Sequence, residues 1–478
     1  MNYKLVLKTL GTTISLEALC MVLSLICSIV YEDGQIINFV ISIAVTLAVG
    51  LPLAFIKTKE TKMYSKEGFC IVALSWIGLS IFGALPFVIS GSIPNFVDAV
   101  FETVSGFTTT GASILRDVEA LPKSMLFWRS FTHWIGGMGV LVFLVALLPL
   151  SGGSNMYLLK AESTGPQVSK LVPKVKSTAK ILYMIYFSIT VILIVLLLCG
   201  GMRFFDSLTT AFGTVGTGGF GIKSDSMAGY STYLQIVVTV FMILCGINFS
   251  LFYLIIIGKF TTAIKSGELK VYLGIIFISA LLIAFNCQHM YSGMGESLKH
   301  AFFQVGSIIT TTGFTTTDFD LWPEFSKSIL VLLMFIGACA GSTGGGIKVS
   351  RIMIFFKSIV KEIKISANPH SVHKIKMDGR TVEHETARGV SVFLAAYVVL
   401  YAFSVIIISI DGMDFTTNFT AVAATINNIG PGLAKVGPVC NFGDYSMLSK
   451  GVLIFDMLLG RLEIFPLLVL FSPYARRK

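Results

Sequence analysis

A chain of 478 residues that is 54% hydrophobic and only 13% charged is not a water-soluble domain, which carries about 25% charged residues; its mean hydropathy of +0.81 marks an integral membrane protein. The net charge of +10 does not indicate nucleic acid, because no basic patch with interleaved aromatics appears, whereas basic residues collect in the cytoplasmic loops of membrane proteins. The eight cysteines (Cys20, Cys27, Cys70, Cys199, Cys245, Cys287, Cys339, Cys440) and six histidines show no metal-ligand spacing, and no hydroxyl nucleophile has a paired base, so neither an enzyme nor a cofactor is expected.

Roughly 20 apolar residues cross a bilayer as a helix. Such runs fall at 12–31, 36–56, 69–90, 125–150, 179–200, 230–258, 271–291, 325–360 (broken), 389–410 and 447–471. No small-residue cleavage site follows the first run, so it is expected to stay. The fold class is therefore an all-α membrane protein with ten transmembrane helices. Lys57, Lys59, Lys62 and Lys66 lie in one connection, Lys160, Lys170, Lys174, Lys176 and Lys180 in the next, and Lys259, Lys265 and Lys270 in a third. A fourth holds Lys357, Lys361, Lys364, Lys374, Lys376, Arg380 and Arg388, and Arg476, Arg477 and Lys478 close the chain. With ten spans all of these share the side of the N-terminus, which the positive-inside rule makes cytoplasmic.

The connections on the other side, 93–123, 202–229, 294–323 and 411–450, are too long and apolar for simple loops. Each has an acidic residue near its start (Asp98, Asp206, Glu296, Asp414), then a short apolar stretch, then glycine. An apolar stretch of about 10 to 14 residues reads as re-entrant rather than spanning. The glycine loops are 108–113 (TTTGAS), 216–221 (GTGGFG), 310–315 (TTTGFT) and 427–432 (NNIGPG), and thirteen residues separate Asp98 from Gly111 and Asp206 from Gly219. The pattern is four helix, pore loop, helix repeats (67–160, 161–265, 266–365 and 366–478) after an N-terminal pair (1–66), with pseudo-fourfold symmetry. Irregular backbone at membrane depth must be buried in protein or line a cavity, so the loops are expected to meet on one axis. Carbonyl rings replace a cation's water there; glycines that merely let helices pack closely are the competing reading for any single loop.

Gly216-Thr217-Gly218-Gly219-Phe220-Gly221 satisfies GxGxxG but lacks its βαβ setting. Gly341-Ser342-Thr343-Gly344-Gly345-Gly346-Ile347-Lys348 resembles a phosphate-binding loop with Ile347 where the lysine belongs. Neither is expected to bind a nucleotide. The second stretch should instead unwind the helix it interrupts, since each glycine costs roughly 1 kcal/mol against alanine, and Lys348 puts a charge beside it. Arg461 is deep in the last apolar run, where an ionisable residue faces a cavity or a partner; Asp456 and Glu463 are the nearby acids. Asp98, Glu102, Asp117, Glu119, Asp206, Asp225, Asp318, Asp320, Asp414 and Asp444 fall on the outer side, either focusing cations or as ordinary solvated charge.

These stretches, with Ser105–Ala112, Trp134–Gly139, Thr310–Thr317 and Leu459–Glu463, resemble the Trk/Ktr/HKT superfamily of cation transporters over nearly the whole chain, and within it the bacterial TrkH family. The resemblance implies potassium uptake across a bacterial inner membrane, with K+ the transported ion. It implies a filter of Thr109, Thr110 and Gly111, Thr217, Gly218 and Gly219, Thr311, Thr312 and Gly313, and Asn428, Ile429 and Gly430. K+ would meet the carbonyls of Thr110, Gly111, Gly218, Gly219, Thr312, Gly313, Ile429 and Gly430. Register is open in the second loop, where Thr214-Val215-Gly216-Thr217-Gly218 is similar to the potassium-channel filter, and the fourth departs most. Glycine rather than serine at 111 goes with potassium over sodium. The resemblance further implies a gate made of Gly341, Ser342, Thr343, Gly344, Gly345, Gly346 and Lys348, with Arg461 as a barrier under the filter. A homodimer and a cytosolic TrkA-type subunit binding NAD(H) or ATP are the implied partners; segment 366–388 is a candidate docking surface or a headgroup-facing loop. A sodium- or proton-coupled symporter is the alternative mechanism.

Overall fold

The apolar runs fold as helices, which satisfy their own backbone where no water is available. The computed structural model describes residues 2–58, 65–139 and 175–472. Lys59, Lys62, Lys160, Lys170, Lys174, the basic residues 476–478 and residues 140–150 of the apolar run 125–150 lie outside them.

Helices α1 (Tyr3–Tyr31) and α2 (Ile36–Ala54) form an antiparallel pair, so close that a Cβ on Gly11 would collide with Leu53 and Ala54. Asp33, in the turn between them, accepts the N–H of Ser124 at 2.8 Å and thereby ties the pair to the start of a later helix. The chain continues as α3 (Ser65–Gly83), α4 (Leu85–Ile89), α5 (Phe96–Phe107), α6 (Lys123–Gly137), α7 (Val175–Cys199), α8 (Phe204–Val215), α9 (Thr232–Cys245), α10 (Phe249–Ile256) and α11 (Phe260–Ile264). It then forms α12 (Gly267–Cys287), α13 (Met294–Ile309), α14 (Glu324–Ile336), α15 (Val349–Ala367), α16 (His384–Ile408), α17 (Phe415–Ile426), α18 (Met447–Arg461) and α19 (Phe465–Phe471). The strands among the described residues are one short hairpin, Lys376–Met377 with Arg380–Thr381.

Among the described residues six helices are long and apolar enough to cross a membrane, or seven if α9 and α10, bent by 93°, count as one. Ten continuous spans are not seen among the described residues: residues 140–150 lie outside them, and the helices after the second, third and fourth glycine loops are interrupted. The described part of α6 ends at Gly137, α9 and α10 break at Gly246–Asn248, α14 and α15 are parted by the glycine stretch, and Glu463 and Ile464 at φ 55° and 67° separate α18 from α19. The sequence suggests such a break only in the third case.

Helices α5, α8 and α17 have 12 residues each, about 18 Å, too short for a hydrocarbon core of about 30 Å; α13 has 16. Asp98, Asp206 and Glu296 lie in the first turns of α5, α8 and α13, and Asp414 caps α17. Each carboxylate thus sits at the positive end of a helix dipole, and each negative end points towards a glycine loop.

Candidate functional site

All four short helices end in the same way. Thr109, Thr217, Thr311 and Asn428 take left-handed φ values of 58°, 54°, 59° and 55°, and their N–H groups reach the carbonyls three residues back, each at 3.1 Å. The next N–H groups, of Thr110, Gly218, Thr312 and Ile429, reach five residues back at 2.8–2.9 Å. This is a Schellman cap with threonine or asparagine where glycine is usual, a strained choice for a β-branched residue. Gly111, Gly219, Gly313 and Gly430 follow at φ 81°, 75°, 85° and 99°. Gly216 instead is the right-handed cap of α8 at φ −70°, so in the second loop it is Gly219 that matches the other three glycines.

These loops close on one another in sequence order. A Cβ on Gly111 would strike the carbonyl oxygen of Gly218, one on Gly219 that of Thr312, and one on Gly313 that of Ile429; one on Gly430 would lie 2.8 Å from that of Thr110. The four carbonyls that precede the glycines therefore form one ring. Its residues are buried, and no ionisable side chain belongs to any of the four loops.

Two groups that sequence reasoning missed hold the first two loops together. Glu102 on α5 accepts Arg129 Nε at 2.6 Å, Ser113 Oγ at 2.9 Å and the N–H of Ile114 at 3.0 Å. Arg129 also donates to Gly221 O at 2.9 Å and lies 3.5 Å from the centre of the Phe220 ring. Both side chains are buried, so Glu102 is not an outer surface charge. Nε2 of His133 accepts the N–H of Phe220 at 3.2 Å, which leaves Nδ1 to donate to Gly106 O at 2.7 Å. The only sequence signal was a histidine inside an apolar helix. Other outer acids are also engaged: Asp98 with Lys450 at 2.7 Å, Asp444 with Arg116 at 3.0 Å, and Asp320 with the N–H of Ala434 at 3.2 Å.

Directly against this ring lies the stretch Gly341–Lys348. Gly345 N–H donates to Thr311 Oγ1 at 2.6 Å, and a Cβ on Gly344 would stand 2.7 Å from Thr310 O. The stretch docks in the bend between α9 and α10: Cys339 N–H donates to Gly246 O and Phe249 N–H to Gly341 O, both at 3.0 Å, and Thr343 Oγ1 to Cys245 O at 3.2 Å. Two broken helices thus satisfy each other's released backbone groups. Ser342 Oγ turns back to Cys339 O at 2.6 Å, Lys348 Nζ is bound to Gly344 O within its own loop, and Gly346 has φ 76°. Arg461 donates to the carbonyls of Gly136 at 2.5 Å, Gly137 at 2.9 Å and Thr343 at 2.9 Å, and to Thr109 Oγ1 at 3.4 Å. Nearby, Asp456 accepts from Ser404 at 2.7 Å and Glu463 from Arg351 at 2.5 Å.

Known proteins match this chain over its whole length. Residues 35–276 and 262–476 match TrkH, described as a cation transport protein. The chain belongs to the TrkH family. The Trk system potassium uptake protein TrkH of Escherichia coli K12 is 37% identical over 99% of both chains. TrkG of the same organism is 34% identical over 98% of this chain and 97% of its own. The crystal structure of the potassium transporter TrkH from Vibrio parahaemolyticus matches with a TM-score of 0.90 and 34% identity over 100% of both chains. TrkH-family chains are multi-pass membrane transporters rather than enzymes. An uncharged ring of carbonyls has the chemistry to take the place of water around a monovalent cation.

Proposed function

We propose that this chain takes up K+ across the bacterial inner membrane through a filter made by its four glycine loops. The observation that carries the reading is the closed ring of carbonyls at Thr110, Gly218, Thr312 and Ile429, reinforced by similarity to relatives such as the potassium uptake protein of E. coli. The short helices aim their negative ends at this ring, a favourable place for a dehydrated cation. Thr109, Thr217, Thr311 and Asn428 set the curve of each loop, and Gly111, Gly219, Gly313 and Gly430 allow the loops to meet.

The wider architecture is part of the same proposal: ten spans, counting interrupted helices as spans, arranged as four repeats after the pair 1–66, with both termini cytoplasmic. Gly341–Gly346 with Lys348 is the gate, since it packs under Thr310 and Thr311, and Arg461 is a fixed positive charge on the same side. The protein works as a homodimer with a cytosolic TrkA-type subunit that binds NAD(H) or ATP; the exposed basic residues Lys374, Lys376 and Arg380 offer that subunit a docking surface. The test is K+ and Na+ flux in proteoliposomes for the wild type and Gly313→Ser. The new Cβ would meet Ile429 O, so selectivity for K+ should fall about tenfold, or about 1.4 kcal/mol. Unaltered selectivity in a folded variant would overturn the filter.

A further inference from the structure

The gate stretch has two ends, and one side chain outside it reaches both. Oε1 of Glu268, in the first turn of α12, accepts the N–H of Ala340 at 2.7 Å and that of Ser350 at 3.2 Å. These residues flank Gly341–Lys348 on either side, and both are buried. α15 has no capping side chain of its own: its N-cap is Lys348 at φ 84°, which makes no side-chain cap. Glu268 therefore caps α15 from another helix, with a carboxylate at the positive end of its dipole. Hydrogen bonds to an ionised acceptor are the strong kind.

We propose that Glu268 is the positioning residue of the gate, its carboxylate clasping the two ends of Gly341–Lys348 so that the loop stays against Thr310 and Thr311. This rests on the gate reading given above. Fixing both ends to one oxygen removes most of the freedom of the intervening loop. Without the clasp two buried N–H groups lose their acceptor in the obstructing position, and the loop is released from beneath the ring.

The experiment is K+ and Na+ flux from proteoliposomes of the full chain carrying Glu268→Ala, Glu268→Gln and Asp378→Ala. Asp378 Oδ1 accepts the N–H of Gly267 at 2.7 Å, so Asp378→Ala loosens the start of α12 without touching the clasp. Glu268→Ala should raise K+ flux about tenfold at unchanged K+ over Na+ selectivity. Glu268→Gln, which keeps an acceptor oxygen, and Asp378→Ala should stay within about twofold of wild type. Should Glu268→Ala not give folded protein, Glu268→Asp, one methylene shorter and able to reach only one N–H, is expected to raise flux about threefold. Wild-type flux in Glu268→Ala or Glu268→Asp while Thr311→Val, which removes the acceptor of Gly345 N–H, raises it overturns the clasp alone, and so does a rise as large in Glu268→Gln or Asp378→Ala; wild-type flux in Thr311→Val as well overturns the gate reading and the clasp with it. A wild type without K+ selectivity overturns the filter reading and the clasp with it.

Discussion

Gly345 donates its N–H to Thr311 Oγ1 at 2.6 Å, so the residue that bends the third loop is also the one that the gate stretch holds. Its hydroxyl is the acceptor, and valine has nearly the same shape without it. Thr311→Val should weaken the gate by about 1 kcal/mol, raising K+ flux roughly fivefold, as read by a fluorescent flux assay in vesicles.

Arg461 brings the end of α6, the gate stretch and the first loop to one guanidinium through Gly136, Gly137, Thr343 and Thr109. Arg461→Ala should raise K+ flux roughly tenfold by removing both the charge and these links. Arg461→Lys should fall between the two, because an ammonium keeps the charge but cannot match a planar fork. Single-channel or vesicle flux at matched protein density separates the three.

The Glu102–Arg129 pair is buried and bonded on both sides. Arg129→Met strands a carboxylate and should cost about 3–5 kcal/mol, whereas the double variant Glu102→Gln, Arg129→Met should cost less than the single one. Thermal unfolding in detergent measures the difference.

His133 joins α5 to the second loop through two hydrogen bonds. His133→Phe keeps the ring and loses both, at about 1 kcal/mol each. The expected readout is a smaller thermal stabilisation by K+ relative to Na+, since the defect lies in the loops that would hold the ion.

Asp33 lies outside the spans. Burial raises its carboxyl, but hydrogen bonds from Ser124, Ser28 and Gln35 outweigh this and hold it below the usual 3.8. A folded-state value below the unfolded one means the stabilisation is complete above the unfolded value and lost as pH falls through the folded one. Thermal stability should therefore drop in acid on going from about pH 7 to about pH 3, and Asp33→Asn should lose less over the same range.

The four loops and the helix break at Gly341–Gly346 were legible because their cues are local: small polar residues near a glycine, an acid thirteen residues before Gly111 and Gly219, four glycines within six residues. The breaks after α9 and α18 were not. A lone Gly246 in an apolar run costs a helix only about 1 kcal/mol, and what makes it bend is the gate stretch that takes its carbonyl, which lies 93 residues further on at Cys339. The same holds for Glu102, which reads as one more outer acid until Arg129, 27 residues away, is folded against it. Pairing at such separations is a property of the tertiary structure and leaves no periodicity to read.

The seating of the gate stretch in the bend of α9 and α10 has a consequence for hydration. While it is seated, Cys245 O, Gly246 O and the N–H of Phe249 are satisfied by protein. If the stretch moves away, those groups and its own amides need new partners at a depth where only water can supply them. Under the proposed gating, opening and wetting of the space beneath the ring are then one event, and a dry gate is a shut one.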